Sequence, residues 1–151
     1  MMKPNILVPF DFSDNAAQAL AWATQLQTAL QNQGPIQVIH FISSYPSRDP
    51  MSIMQVLLPN AEEITTLENA LREAVAKAGA WAEVEVVVRP LAIGESIVAR
   101  ADELHADLIV MGTHGRTGVK RMVLGSVADH VVRHAPCPVL TMRERPASQP
   151  R

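Results

Sequence analysis

The sequence predicts an α/β fold: a doubly wound, five-stranded parallel sheet with helices on both faces. Short apolar runs alternate with longer amphipathic ones along the chain, the pattern of strands joined by right-handed helical crossovers. The short runs are almost continuously apolar, as strands are when both sheet faces are covered. A glycine-bearing segment separates one such run from the helix that follows it, a common arrangement at the ligand end of such sheets.

Ile6-Leu-Val8 reads as the first strand, ending at Pro9-Phe10-Asp11. A helix follows, capped by Ser13 or Asp14, with apolar positions at Ala16, Leu20, Ala23, Leu26 and Leu30. Gly34-Pro35 stops it, and Ile36 to Ile42 is the second strand. The second helix begins near Asn60, with Glu63 three residues on in a capping-box pattern. Its buried stripe is Ile64, Leu67, Leu71, Val75 and Ala78, and Gly79 suits its C-terminus. Val84 to Val88 is the third strand and Glu95 to Leu104 the third helix. Asp107 to Met111 is the fourth strand, Val127 to His134 the fourth helix, and Pro138 to Met142 the fifth strand. Residues 1–145 are expected to form a single domain, with 146–151 a flexible, polar, Pro-containing tail. Tyr45 to Pro59 opens on Pro46-Ser-Arg-Asp-Pro50 and reads as a flap over the core, with a lid or a partner contact as the alternative.

With 151 residues and 48% hydrophobic content, one sizeable core is expected. A formal charge of -2 leaves no basic footprint for nucleic acid. No apolar run reaches bilayer length, so no membrane partner is expected. The start, Met-Met-Lys-Pro-Asn, lacks the apolar stretch of a signal peptide, and the single Cys137 has no partner for an internal disulfide. The expected location is cytoplasmic.

Met111 to Ser126 carries the chemistry. Gly112, Gly115 and Gly125-Ser126 are spaced G-x2-G-x9-G-S. Glycines let backbone N–H groups approach an anion without an intervening Cβ, and a helix N-terminus adds unpaired donors and the positive end of its dipole. Ser126 can add a hydroxyl. The chain resembles universal stress proteins of the nucleotide-binding type, whose signature is G-x2-G-x9-G-(S/T). Val8-Pro9-Phe10-Asp11-Phe12-Ser13, Val38-Ile-His-Phe41 and Pro136-Cys-Pro-Val-Leu140 agree with it, and the resemblance runs from about Lys3 to Arg143.

The resemblance implies the strand order 3-2-1-4-5. Ligands then sit beyond the carboxyl ends of the strands where the winding reverses, between strands one and four. Asp11 ends one and Gly112 the other. The resemblance also implies ATP as the ligand, with Mg²⁺ carried mainly by its phosphates. Pro9, Phe10, Asp11 and Phe41 would meet base and ribose. Met111, Gly112, His114, Gly115, Arg116, Gly125, Ser126, Val127 and Ala128 would meet the phosphates or line their approach. A homodimer through strand five is implied as well; Val139 is apolar and no charge precedes Arg143 in that strand.

Plainer readings stand beside these. Asp11 could be a loop acid, Phe41 a core residue, and Arg116, Lys120 and Arg121 a solvated basic loop. His130 and His134 share a helix face, but a metal site needs further ligands. Cys137 between two prolines reads as structural. The P-loop string G-x4-G-K-(S/T) is absent, and Gly115-Arg-Thr-Gly118 matches a KH-type G-x-x-G loop only in isolation. Where the family often has a Gly-x-Pro turn, this chain reads Leu91-Ala-Ile-Gly94. The expected function is a nucleotide-dependent switch or sensor in stress response with slow hydrolysis at most. The alternatives are an ATP-hydrolysing or self-modifying enzyme, acting on Ser126 or Thr117, and a structural dimer module without nucleotide.

Overall fold

The computed structural model describes residues 3–31, 34–44, 58–114 and 124–143. Nine elements follow in order: β1 (Ile6–Pro9), α1 (Asp14–Ala29), β2 (Ile36–Ser43), α2 (Ala61–Ala78), β3 (Ala82–Arg89), α3 (Ile93–Glu103), β4 (Leu108–Gly112), α4 (Ser126–His134) and β5 (Val139–Met142). The five strands form one parallel sheet in the order β3-β2-β1-β4-β5, as the resemblance implied. Most of the Tyr45 to Pro59 segment and the tail expected at 146–151 lie outside the described residues.

The side-chain alternation of a strand divides the core in two. Ile6 and Val8 of β1 face α1 and α2, packing with Ala16, Leu20, Ala23, Leu71 and Val75. Leu7 faces the other way, with Ile39, Ile97, Ala101, Ile109, Ala128 and Val131 under α3 and α4. Leu7, Leu20, Ile39, Leu71, Ile97 and Ile109 are all but inaccessible. Each such side chain contributes about 1.5–3 kcal/mol by leaving water.

Caps set the helix limits. Ser13 Oγ accepts from Ala16 N at 3.2 Å and opens α1. Asn60 and Glu63 form the reciprocal capping box of α2, and Gly79 closes it in the left-handed conformation at φ 64°. Two sequence expectations need correction. Leu30, assigned to the apolar stripe of the first helix, is 51% exposed, and Gln27 is buried instead. The Gln27 amide donates to the carbonyls of Gly34 and Trp81, both at 2.9 Å, and so ties the helix end to the strands beside it. The third helix begins at Ile93 rather than Glu95, because the Glu95 carboxylate accepts from Ala92 N at 3.3 Å and stabilises an earlier first turn.

Strand limits also moved. β3 pairs with β2 over the full run from Ile36↔Ala82 to Ser43↔Arg89, so it is longer than Val84 to Val88. Pro138 lies just outside β5, but its carbonyl accepts from Ile109 N at 3.0 Å and begins the pairing.

Candidate functional site

In a parallel sheet every connecting helix starts at the carboxyl end of a strand, so the helix N-termini gather at that end. Between β1 and β4 they enclose a cleft of about 310 Å³, within the usual size range of a small-molecule pocket. Pro9, Phe10, Asp11, Phe41, Met111, Gly112, His114, Gly125, Ser126, Val127 and Ala128 all line it. Gly115 and Arg116, the remaining two candidates, lie outside the described residues.

The β1–α1 turn is built around Asp11. Its Oδ1 accepts from Ser13 N at 3.0 Å and from the Ser13 hydroxyl. Ser13 Oγ accepts in turn from Ala16 N, so the acid, the helix cap and the first turn of α1 form one chain of bonds. Phe12 between them has φ 64°, a left-handed conformation that a bulky residue adopts only when its surroundings hold it. Two contacts do so: Phe12 stands edge-on to Phe10, with ring centroids 5.4 Å apart, and 5.0 Å from His40. His40 Nδ1 lies 2.8 Å from the Phe10 carbonyl. A carbonyl only accepts, so this nitrogen carries the proton.

The β4–α4 side is held by Thr113, which is buried. Its N–H and hydroxyl both donate to the Met142 carbonyl, at 3.0 and 3.1 Å. Its hydroxyl oxygen lies 3.0 Å from His114 Nδ1. Its carbonyl accepts from Gly125 N at 2.7 Å, and Gly125 is the N-cap of α4. The end of the edge strand β5, His114 and the start of α4 therefore meet at one residue.

The two described motif glycines have a role that the sequence reading missed. A Cβ on Gly112 would stand 2.7 Å from Asn15 Cβ, and one on Gly125 would stand 2.7 Å from the Thr113 oxygen. Both are glycine because elements of the fold approach too closely for a side chain. Gly125 has φ -69° and needs no left-handed freedom.

The cleft lining combines apolar and polar groups. Phe41, Met111, Ile93 and Ile97 supply apolar surface suited to a flat ring. The beginnings of α1 and α4 also reach it, bringing the positive ends of two helix dipoles. Ser126 is the first residue of α4 and exposed. Six lining residues were not singled out for this site from sequence: Ser13, Ala16, His40, Ile93, Ile97 and Thr113. Ser13 was recognised as a cap and Thr113 lies inside the motif segment. Ala16 and His40 stand near residues already singled out, and Ile93 and Ile97 come from α3, which only the topology brings to the cleft.

Elsewhere, His130 and His134 stack with centroids 4.3 Å apart, and His134 Nδ1 lies 2.8 Å from the His130 carbonyl. No group of three or more metal-ligating side chains occurs among the described residues. Burial, reinforced by Asp107, pushes the Cys137 thiol up from its ordinary pKa, which disfavours the reactive thiolate. No helix among the described residues is long and apolar enough to cross a membrane.

Residues 2–143 match the model of the Universal stress protein family. A Staphylococcus aureus (strain USA300) protein named as a universal stress protein is 35% identical over 145 residues, covering 92% of this chain and 83% of that one. Among solved structures, universal stress protein UspA from Lactobacillus plantarum is similar with a TM-score of 0.68 and 25% identity, over 95% of this chain and 99% of that one. The universal stress protein from Archaeoglobus fulgidus in complex with dAMP has a TM-score of 0.65 and 26% identity, over 94% of this chain and 98% of that one. The sheet order, the cleft at the winding reversal and these matches agree: the chain belongs to the universal stress protein family.

Proposed function

We propose that this chain binds ATP in the cleft between β1 and β4 and acts as a nucleotide-dependent switch or sensor in stress response. The carrying observation is the mixed lining of the cleft, which joins the apolar side chains of Phe41 and Met111 to the N-termini of α1 and α4. The apolar surface suits adenine, and Asp11 is positioned to accept from ribose hydroxyls. The N–H groups of Ser126, Val127 and Ala128 suit phosphate oxygens, which a helix N-terminus binds without any basic side chain, while the Gly125 N–H is engaged by the Thr113 carbonyl. The dAMP complex of the Archaeoglobus fulgidus relative supports an adenine nucleotide as the ligand class.

Mg²⁺, in this reading, is carried by the phosphates and water, as this ion often is. Asp11, the one carboxylate among the described cleft residues, is engaged by Ser13 at both its N–H and its hydroxyl. That supports slow hydrolysis at most, since binding that does not favour the transition state produces no rate. The same proposal includes a homodimer through β5. This strand ends the sheet, and Leu140 on it and Val132 on α4 are 37% and 48% exposed.

Native mass measurement of the protein purified without added nucleotide, then with ATP or AMP, tests the proposal. A nucleotide-sized mass increment per chain is the expected result. A bare chain at millimolar ATP would remove it.

A further inference from the structure

Asn15 is the second residue of α1 and is only 9% exposed. Its Nδ2 donates to the His114 carbonyl at 3.1 Å, bridging the start of α1 to the end of the β4 segment. Its Cβ fills the room that Gly112 leaves by having none. Its Oδ1 is buried and has no partner among the described residues.

A buried amide oxygen without a donor costs stability, and an apolar side chain of the same shape, leucine, would avoid that cost. The amide is therefore explained by its other half, the donor. His114 lines the cleft. A peptide carbonyl turned toward the cleft would present the negative end of its dipole to an anion. Asn15 engages that oxygen from the side of α1, while the preceding carbonyl, of Thr113, is engaged by Gly125 N. The carbonyls of two successive residues are thus occupied by protein donors where anionic groups would approach.

We infer that Asn15 is a positioning residue for phosphate: it acts through the His114 carbonyl, and it separates phosphorylated ligands from nucleosides. The inference rests on the nucleotide reading of the cleft. Asn15 contacts Gly112 and His114 and is not itself a lining residue, so its loss should leave the apolar lining unchanged.

The test titrates ATP and adenosine into wild type, Asn15→Leu and Asn15→Ala, and records the melting temperature of each. Asn15→Leu is expected to melt close to wild type, because relief of the unpartnered Oδ1 offsets the loss of the bond to the His114 carbonyl. Its ATP affinity should fall about tenfold, the size of one charge-sensitive polar contact, with adenosine affinity within about twofold of wild type. Should leucine crowd Gly112 and lower the melting temperature, Asn15→Ala carries the comparison, since it removes the same donor with a smaller side chain. Equal weakening of both ligands, or unchanged ATP affinity in a folded variant, overturns the positioning role and leaves the nucleotide reading standing. Wild type that binds neither ligand overturns both.

Discussion

Gly125 and Thr113 are in backbone contact at the head of the cleft: the glycine N–H donates to the threonine carbonyl at 2.7 Å, and a Cβ on the glycine would stand 2.7 Å from that same oxygen. The contact sets where α4 begins. Gly125→Ala should therefore lose stability as well as ligand, because the backbone must move apart before any phosphate arrives. A cost of about 1–3 kcal/mol is expected, the usual size for local backbone strain, together with weaker ATP binding. Thermal unfolding and ATP titration of the same variant check this. An unaltered melting temperature would show that the contact is not tight in solution.

Ser126 opens α4 and is exposed beside the cleft. Ser126→Ala should weaken ATP more than AMP, by about 1–3 kcal/mol if a charge-assisted hydrogen bond is lost. Stability should change little, since Gly125 rather than Ser126 is the N-cap. Equal losses for the two nucleotides would assign the hydroxyl to a part of the ligand that both share.

His40 holds the opposite wall through the Phe10 carbonyl and the Phe12 ring. His40→Leu leaves that carbonyl without its partner and releases the strained turn at Phe12. The variant should lose about 1–3 kcal/mol of stability and bind adenosine and ATP more weakly by similar factors. A loss confined to ATP would contradict the assignment of this wall to base and ribose.

Much of this could be read from the chain. The nine elements follow from apolar periodicity and caps because each is decided locally: Ser13, Asn60, Glu63 and Gly79 act within a few residues of themselves. The eleven described candidates that line the cleft came from two motif segments and Phe41, by way of the family resemblance those segments carry. Ile93 and Ile97 were not legible as site residues, because only the sheet order brings α3 to the cleft; His40 was passed over beside Phe41 because its bond to the Phe10 carbonyl joins two strands far apart in the chain. The packing role of Gly112 was missed for a related reason: its neighbour, Asn15, is close in space and far along the chain.

Leu140 and Val139 divide the fifth strand between surface and core. Leu140 is 37% exposed, whereas Val139 packs into the cluster beneath α3 and α4. Leu140→Asp is therefore the cleaner probe of the proposed dimer, and Val139→Lys should cost stability as well. Light scattering at micromolar concentration should show a dimer for wild type and a folded monomer for Leu140→Asp, with a melting temperature lowered by the loss of the partner. A wild-type monomer, with and without ATP, would exclude pairing through this strand.

Glu103 supplies a pH-dependent test of the α3 surface. The Arg89 guanidinium, 2.7 Å away, and Arg100, at 3.2 Å, hold its carboxyl below the usual carboxylate range. The folded state therefore favours the ionised form. The resulting stability is present above the ordinary carboxylate pKa and is lost as pH falls through the lower folded value. Glu103→Gln should melt slightly below wild type near neutral pH, with the gap closing in acid. A gap independent of pH would assign the effect to packing.

The most direct test of the central claim is a backbone amide NMR titration with ATP. Gly112, Thr113, His114 and Gly125 to Ala128 should show the largest shift changes, with Asp11 and Phe41 next, and β3 and α2 should stay still. Adenosine should move the Asp11 and Phe41 group and leave Gly125 to Ala128 largely in place. Saturating ATP with no shifts, or with shifts centred away from the ends of β1 and β4, would contradict the account.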